Sequence, residues 1–384
     1  MHTERLRHGC VVTGRVGLDV TPLASSHAIR GIGRYVGGIL DALLSTRPDW
    51  CRDHLDLLAA HGQEAPHGVH VVWRSRRASF RPQDVGWVVA AMSDRAIARR
   101  ARVGLWHETD PGNPLGPGTA GRALVTAYDL LPLLEPALME RVRPHRRLAY
   151  RLYLRRLRTA RHVLAISHAT ATDLRSVLGI PRERISVVYP AVRGLGLIPE
   201  HGHHSASDQT EPAIVFVGVP DPHKRPELAV EAFAAYRRMG GTRPLVFVGH
   251  HPPAERLRLR RLAETRRLTA DVEFWDVVDD ARLAGLCANG ILLALSTREG
   301  FGLPPVECLL SGGRVVATPS PIYREVLADA AMFSPDDSPD EIGLCLLAAE
   351  GTPPDQRAVR DLGKRYSPAS AASGLIRVYE SLLA

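Results

Sequence analysis

Cysteine is sparse in this chain. The five residues, Cys10, Cys51, Cys287, Cys308 and Cys345, are scattered and form no Cys-x-x-Cys pair. That spacing argues against a zinc ribbon and a disulfide framework, and it favours a reducing, cytoplasmic compartment. No apolar run is long enough to span a bilayer, and the first residues carry no secretory apolar region. Neither a P-loop nor a zinc-protease motif occurs. His201, His203 and His204 sit close together, but no cysteine or carboxylate cluster stands at ligand spacing, so no metal site is expected. Lysine is scarce, and the formal charge of +8 comes mostly from arginine. A basic balance serves phosphate-bearing substrates, anionic membranes or nucleic acid without choosing among them. No recognisable nucleic-acid-binding module is present, so nucleic acid is not an expected partner.

At 384 residues the chain suits two α/β domains, and a hydrophobic content of 45% is enough for two cores. Arg15 to Val20 reads as a first strand, and Gly31 to Leu44 as a glycine loop opening into a helix. Further strands are expected at 55–58, 69–73, 103–106, 123–127, 161–166 and 185–189. Residues 190–212 are rich in Gly, Pro, His and Ser and lack periodicity, which marks a linker. The alternation then repeats, with strands at 213–217, 245–248, 272–275, 291–295, 314–317 and 331–333, and helices at 340–349 and 369–383. Strands alternating with helices predict parallel, doubly wound sheets. The expected organisation is a first domain over 1–192, a linker over 193–212, a second domain over 213–367 and a last helix over 368–384. Carboxyl ends of parallel strands face ligands in such folds, so a ligand is expected between the domains.

The most informative stretch is Glu299-Gly300-Phe301-Gly302-Leu303-Pro304-Pro305-Val306-Glu307. The apolar run from Gly290 to Leu295 suits a buried parallel strand. Ser296, Thr297 and Arg298 make the turn, and the two prolines suit the first turn of a helix. A strand, a glycine-bearing loop and a helix presents backbone N–H groups where anions and sugar hydroxyls bind. Glu299 is placed in the loop and Glu307 about two turns into the helix. An ionised carboxylate accepts two hydrogen bonds from a vicinal diol.

This string resembles the signature of glycosyltransferase family 4, the retaining, nucleotide-sugar-dependent enzymes of the GT-B fold. Shorter pieces resemble the family in the same order: Arg30 to Tyr35, Ala165 to Ser167 with Ala169 to Leu174, Ile185 to Pro190, Val215 to Gly218 with Lys224, and Glu325-Val326 before Asp329 to Ala331. The resemblance implies two Rossmann-like domains, the first binding the acceptor and the second the nucleotide sugar, with the last helix returning to the first. It implies a nucleotide-diphosphate sugar as co-substrate, no cofactor and no metal.

By the same resemblance, Lys224 contacts the diphosphate. Arg225 is able to substitute for the arginine that many members carry after the glycine matching Gly218, where Val219 stands here. Glu307 holds the ribose hydroxyls, Glu299 lies near the donor sugar, and the backbone at Phe301, Gly302 and Leu303 contacts sugar or phosphate. Gly31 and Gly33 let the first domain's backbone approach the diphosphate and acceptor. The family's loop histidine is replaced by Tyr128, which donates a hydrogen bond but is not readily cationic. His107 is a further candidate for the same cleft. The family's front-face route makes Glu299 a binding group rather than a covalent nucleophile.

Arg141 to Arg161 contains nine arginines, with Leu148, Leu152, Tyr153 and Leu157 on one helical face and Arg147, Arg151, Arg155 and Arg158 on another. A solvated basic side is favoured over a membrane-binding one, and peripheral membrane contact stays open. The expected function is transfer of a hexose or amino sugar from a UDP-sugar, or secondarily a GDP-sugar, to an acceptor hydroxyl. The arginine- and alanine-rich style suggests an actinobacterial, high-GC genome. That admits a soluble secondary metabolite such as an aminoglycoside intermediate, or a cell-envelope glycolipid or polysaccharide. A cationic acceptor would need a local acidic patch, to which Glu108, Asp110 and Asp129 are the candidate contributors. A catalytically silent nucleotide-sugar-binding protein is the alternative from another class. The oligomeric state is left open.

Overall fold

The computed structural model describes residues 14–25, 31–63, 69–76, 89, 92–96, 101, 103–113, 120–135, 138–139, 144–192, 194 and 211–384. Cys10, Arg30, Arg141, Arg143, His201, His203, His204 and most of the expected linker lie outside them. The chain divides into a first unit, Met1–Ala191 with Pro368–Ala384, and a second, Val192–Ser367.

The first unit is built on a seven-stranded parallel sheet. Its strands are β1 (Val16–Asp19), β2 (Leu55–Ala60), β3 (His70–Ser75), β4 (Leu105–Glu108), β5 (Ala123–Ala127), β6 (His162–Ala165) and β7 (Ile185–Val187). Their order is β3-β2-β1-β4-β5-β6-β7. The helices used below are α1 (Gly31–Thr46), α2 (Pro48–His54), α3 (Pro144–Thr159) and α4 (His168–Leu178). Local chemistry sets α4 at both ends. The Ser167 hydroxyl accepts from the Thr170 amide, and Gly179 closes the helix in the left-handed region.

The second unit repeats the plan with β8 (Ile214–Val217), β9 (Leu245–Val248), β10 (Val272–Trp275), β11 (Ile291–Ala294), β12 (Arg314–Ala317) and β13 (Met332–Phe333), ordered β10-β9-β8-β11-β12-β13. Both sheets therefore reverse direction beside their first strand, the arrangement that places ligands at carboxyl strand ends. Helices α5 (Pro226–Arg238), α6 (Pro253–Thr265), α7 (Asp280–Asn289), α8 (Leu303–Leu310), α9 (Pro321–Leu327), α10 (Pro339–Gly351) and α11 (Gln356–Arg365) belong to this unit. The short strands are apolar because both faces are covered. Phe216, Phe247 and Phe274 stand on neighbouring strands with successive ring centroids 5.1 Å apart, fixing one face of the core.

The last helix, α12 (Pro368–Leu383), belongs to the first unit and packs on α1. Tyr379 anchors it, with its ring stacked on Trp50 and its hydroxyl 2.7 Å from His107 Nδ1. The other ring nitrogen of His107 is 2.7 Å from the Thr126 hydroxyl. His107 is fully buried within β4, and the expected strand over 103–106 is corrected to run two residues later. A histidine with both nitrogens engaged inside a sheet is a structural anchor, not a group presented to a ligand. Burial lowers its pKa to about 3, which keeps it neutral at physiological pH.

Glu108 is corrected in the same way. Its carboxylate sits in the interior, with one oxygen 2.7 Å from Arg156 Nε and the other on the same guanidinium's Nη2. A carboxylate held in this two-point geometry is not free to attract a cationic acceptor. On α3 the buried face is Tyr153, Leu154, Arg156 and Leu157, while Leu148 is 57% exposed, so the expected apolar stripe is rotated.

Candidate active site

The second sheet gathers a group of polar side chains at its carboxyl strand ends. Strand β8 ends at Val217, and the next residue, Gly218, has a φ of +135° that an L side chain rarely adopts. The chain then makes a short turn at Pro222–Lys224. The Thr297 amide, beyond β11, donates to the His223 carbonyl at 2.9 Å and ties this turn to the next loop. The aliphatic stem of Lys224 lies over Gly218, where an added Cβ would stand 3.2 Å from its Cδ. Gly218→Ala is therefore expected to cost about 1–3 kcal/mol through backbone strain and to displace Lys224. Urea unfolding checks this, and an unchanged midpoint would contradict it.

Lys224 Nζ reaches Glu299 Oε1 at 2.9 Å, and the same oxygen accepts from the Ser296 hydroxyl at 2.9 Å. Burial pushes the Glu299 carboxyl upward. The Lys224 ammonium, its hydrogen bond, His223 and Ser296 outweigh burial and hold it below the usual carboxylate range. Tyr323 on α9 stands beside this group. Burial and the Glu299 charge push its phenol up, so it stays a donor. These groups line a shallow recess with Gly302, Pro304, Pro305 and the ends of β8 and β11. Gly302 adopts φ +85° at the start of α8, and a Cβ there would come within 3.1 Å of Tyr323.

The other expected positions fall outside this recess. Arg225 takes a left-handed conformation, φ 57°, and its guanidinium pairs with Asp337 at 2.8 Å rather than lining the recess. Phe301 is buried edge-on against Tyr366, with ring centroids 5.0 Å apart. Leu303 is the first residue of α8, and Glu307 is its fifth, one turn in rather than two, and 5% exposed. Pro304 and Pro305 carry no N–H, so the first turn offers fewer amide donors than a helix start normally does. Gly31 and Gly33 lie within α1 itself, not in a loop preceding it, and a Cβ on Gly31 would meet nothing within 4 Å. Tyr128 is buried. Its hydroxyl donates to the Thr109 carbonyl at 2.7 Å and its ring stands edge-on to Tyr35, so its hydrogen bond is spent inside the first unit. Ser296 and Tyr323 were not singled out from sequence. Their only signal was a turn position and proximity to the Glu325-Val326 element.

Two family models match the chain. The first, glycosyltransferase family 4, covers residues 51–193, and the second, glycosyl transferases group 1, covers 199–349. The chain belongs to the family 4, group 1 glycosyltransferases. Among curated relatives, it is 24% identical over 216 residues to the O-antigen chain mannosyltransferase RfbU of Salmonella typhimurium, covering 56% of this chain and 57% of that protein. It is 27% identical over 231 residues to the serotype-specific mannosyltransferase WbdA of Escherichia coli, covering 57% of this chain and 28% of WbdA. The chain thus spans little more than half of one relative and about a quarter of the other. Anabaena HepE, crystallised with UDP and glucose, superposes with a TM-score of 0.66 at 16% identity, covering 96% of this chain and 99% of HepE. That likeness places the chain in the GT-B fold. Among the described residues no group of three histidine, cysteine or acidic side chains is placed to hold a metal ion, and no helix is long and apolar enough to cross a membrane.

Proposed function

We propose that the chain is a retaining, metal-independent glycosyltransferase. It moves a hexose or amino sugar from a nucleotide-diphosphate sugar to an acceptor hydroxyl. The observation that carries this reading is the Lys224–Glu299–Ser296 group at the strand ends of the second unit. Breaking the anomeric C–O bond puts negative charge on a leaving diphosphate, and a fixed cation lowers that barrier. Lys224 is that cation. Glu299 holds it in place. When a diphosphate takes over part of the ammonium's hydrogen bonding, Glu299 accepts from hydroxyls of the donor sugar. Glu307 serves the ribose, and the amides at Gly302 and Leu303 contact phosphate or sugar. The acceptor hydroxyl attacks from the face the phosphate leaves, and a phosphate oxygen takes its proton.

UDP remains the first choice of carrier and GDP the second. The UDP complex of HepE supports the former, and the mannosyltransferase relatives support a hexose as the group moved. RfbU acts in an O-antigen chain, which supports a saccharide acceptor alongside the soluble secondary metabolite expected from sequence style. The test is turnover of a panel of UDP-, GDP-, ADP- and dTDP-sugars, with product configuration read by NMR. An α-configured donor giving an α-linked product is expected. A β-linked product would contradict retention. Binding of one donor without turnover, with saccharide and soluble acceptors supplied, would favour a silent binding protein.

A further inference from the structure

Among the described residues, two hydroxyls on the second sheet's carboxyl edge have no protein partner. Thr318 Oγ1 and Ser320 Oγ are both buried, and neither makes a hydrogen bond. Thr318 is 1% exposed. It follows β12 directly. The pairing of Ala317 with Ala294, and a 3.0 Å bond from the Thr318 amide to the Ala294 carbonyl, set it beside the Leu295–Ser296 step. It therefore stands one strand over from the Ser296 that holds Glu299.

Ser320 immediately precedes α9, which brings Tyr323 into the recess. Serine in that position normally caps the helix. Ser338, Asp279 and Asp355 do so at their own helices, each accepting from a helix amide. Ser320 makes no such bond. The Ser320 amide donates to the Thr318 carbonyl at 2.8 Å, so a tight turn around Pro319 fixes both hydroxyls relative to one another.

Neither the strand nor the helix uses these groups, and a buried hydroxyl without a partner is destabilising. Resting on the donor reading above, we infer that Thr318 and Ser320 bind the nucleoside diphosphate portion of the donor. A hydroxyl donates to a phosphate oxygen or accepts from a ribose hydroxyl, and it adds direction to the charge that Lys224 supplies on the same edge. The two residues are donor-binding groups in a part of the site that the EGFGLPPVE string does not contain.

Thr318→Val keeps the shape of the side chain and removes only the hydroxyl, and Ser320→Ala does the same at its position. Thermal melts of the empty protein and calorimetric titration with UDP and GDP form the test. Each empty variant is expected to melt at the wild-type temperature or above, because an unpaired polar group has been removed. Each is expected to bind the preferred diphosphate about tenfold more weakly than wild type. A melting temperature lowered by several degrees would show that the hydroxyl serves the fold, and would overturn the inference. So would unchanged affinity in both variants while the wild type binds. If neither diphosphate binds the wild type, the donor reading itself fails and this inference falls with it.

Discussion

Replacing Lys224 with alanine is expected to lower sugar transfer by about 10²–10³-fold, the loss seen when one preorganised charge-stabilising group leaves a transition state. The effect should fall mainly on kcat, because charge on the diphosphate grows as the anomeric bond breaks. Lys224→Arg should recover part of the rate by restoring the charge, but not all of it. The lysine stem lies closely over Gly218, and a planar guanidinium has a different shape. The substitution has a second signature. Lys224 is the largest of the influences holding the Glu299 carboxyl down, so its removal should raise the Glu299 pKa. In the wild type, the depressed pKa means that the pair stabilises the fold above the unfolded carboxyl value of 4.5, and that this is lost as pH falls through the lower folded value. Equal rates in wild type and Lys224→Ala would remove the lysine from the chemistry.

The second large effect concerns acid stability. His107 titrates near 6.5 in the unfolded chain and about 3 in the fold. Between these values the unfolded chain binds a proton that the folded chain does not. Folding is therefore favoured in full above about pH 6.5 and loses stability as pH falls toward 3, by up to about 1.4 kcal/mol per pH unit. The proton would enter between the Tyr379 and Thr126 hydroxyls, so α12 is the element expected to loosen. His107→Gln keeps polar atoms there but cannot titrate. Its melting temperature should lie below that of the wild type at pH 7, and the gap should close or invert by pH 4. Parallel pH profiles for the two proteins would contradict this.

Most of the fold was legible because its strands are short apolar runs flanked by glycine or polar turns. The strands β5, β9, β10 and β12 have the expected boundaries, and the helices α10 and α12 differ by one or two residues at their ends. The error at β4 has a physical cause. Polar residues at 107 and 108 read as the end of a strand, yet both are buried, because Tyr379 and Arg156 satisfy them from far along the chain. The buried face of α3 was misread for the same reason, since an arginine paired inside the core looks in sequence like any solvated one. The EGFGLPPVE string and Lys224 stood out by resemblance. The contact of Lys224 with Glu299, 75 residues apart, is a product of the sheet order. Ser296, Thr318, Ser320 and Tyr323 were not legible. Hydroxyls at strand ends and turns are common, and only packing shows which of them lack a partner or meet a charge.

The most direct measurement is the affinity of matched nucleoside mono- and diphosphates for wild type and Lys224→Ala by isothermal titration. Lys224 is held to face the diphosphate of the donor. The wild type should therefore bind the preferred diphosphate about tenfold or more tightly than its monophosphate, and the substitution should largely abolish that preference. A wild type that binds both equally, or a preference that survives the loss of Lys224, would contradict the assignment of this site.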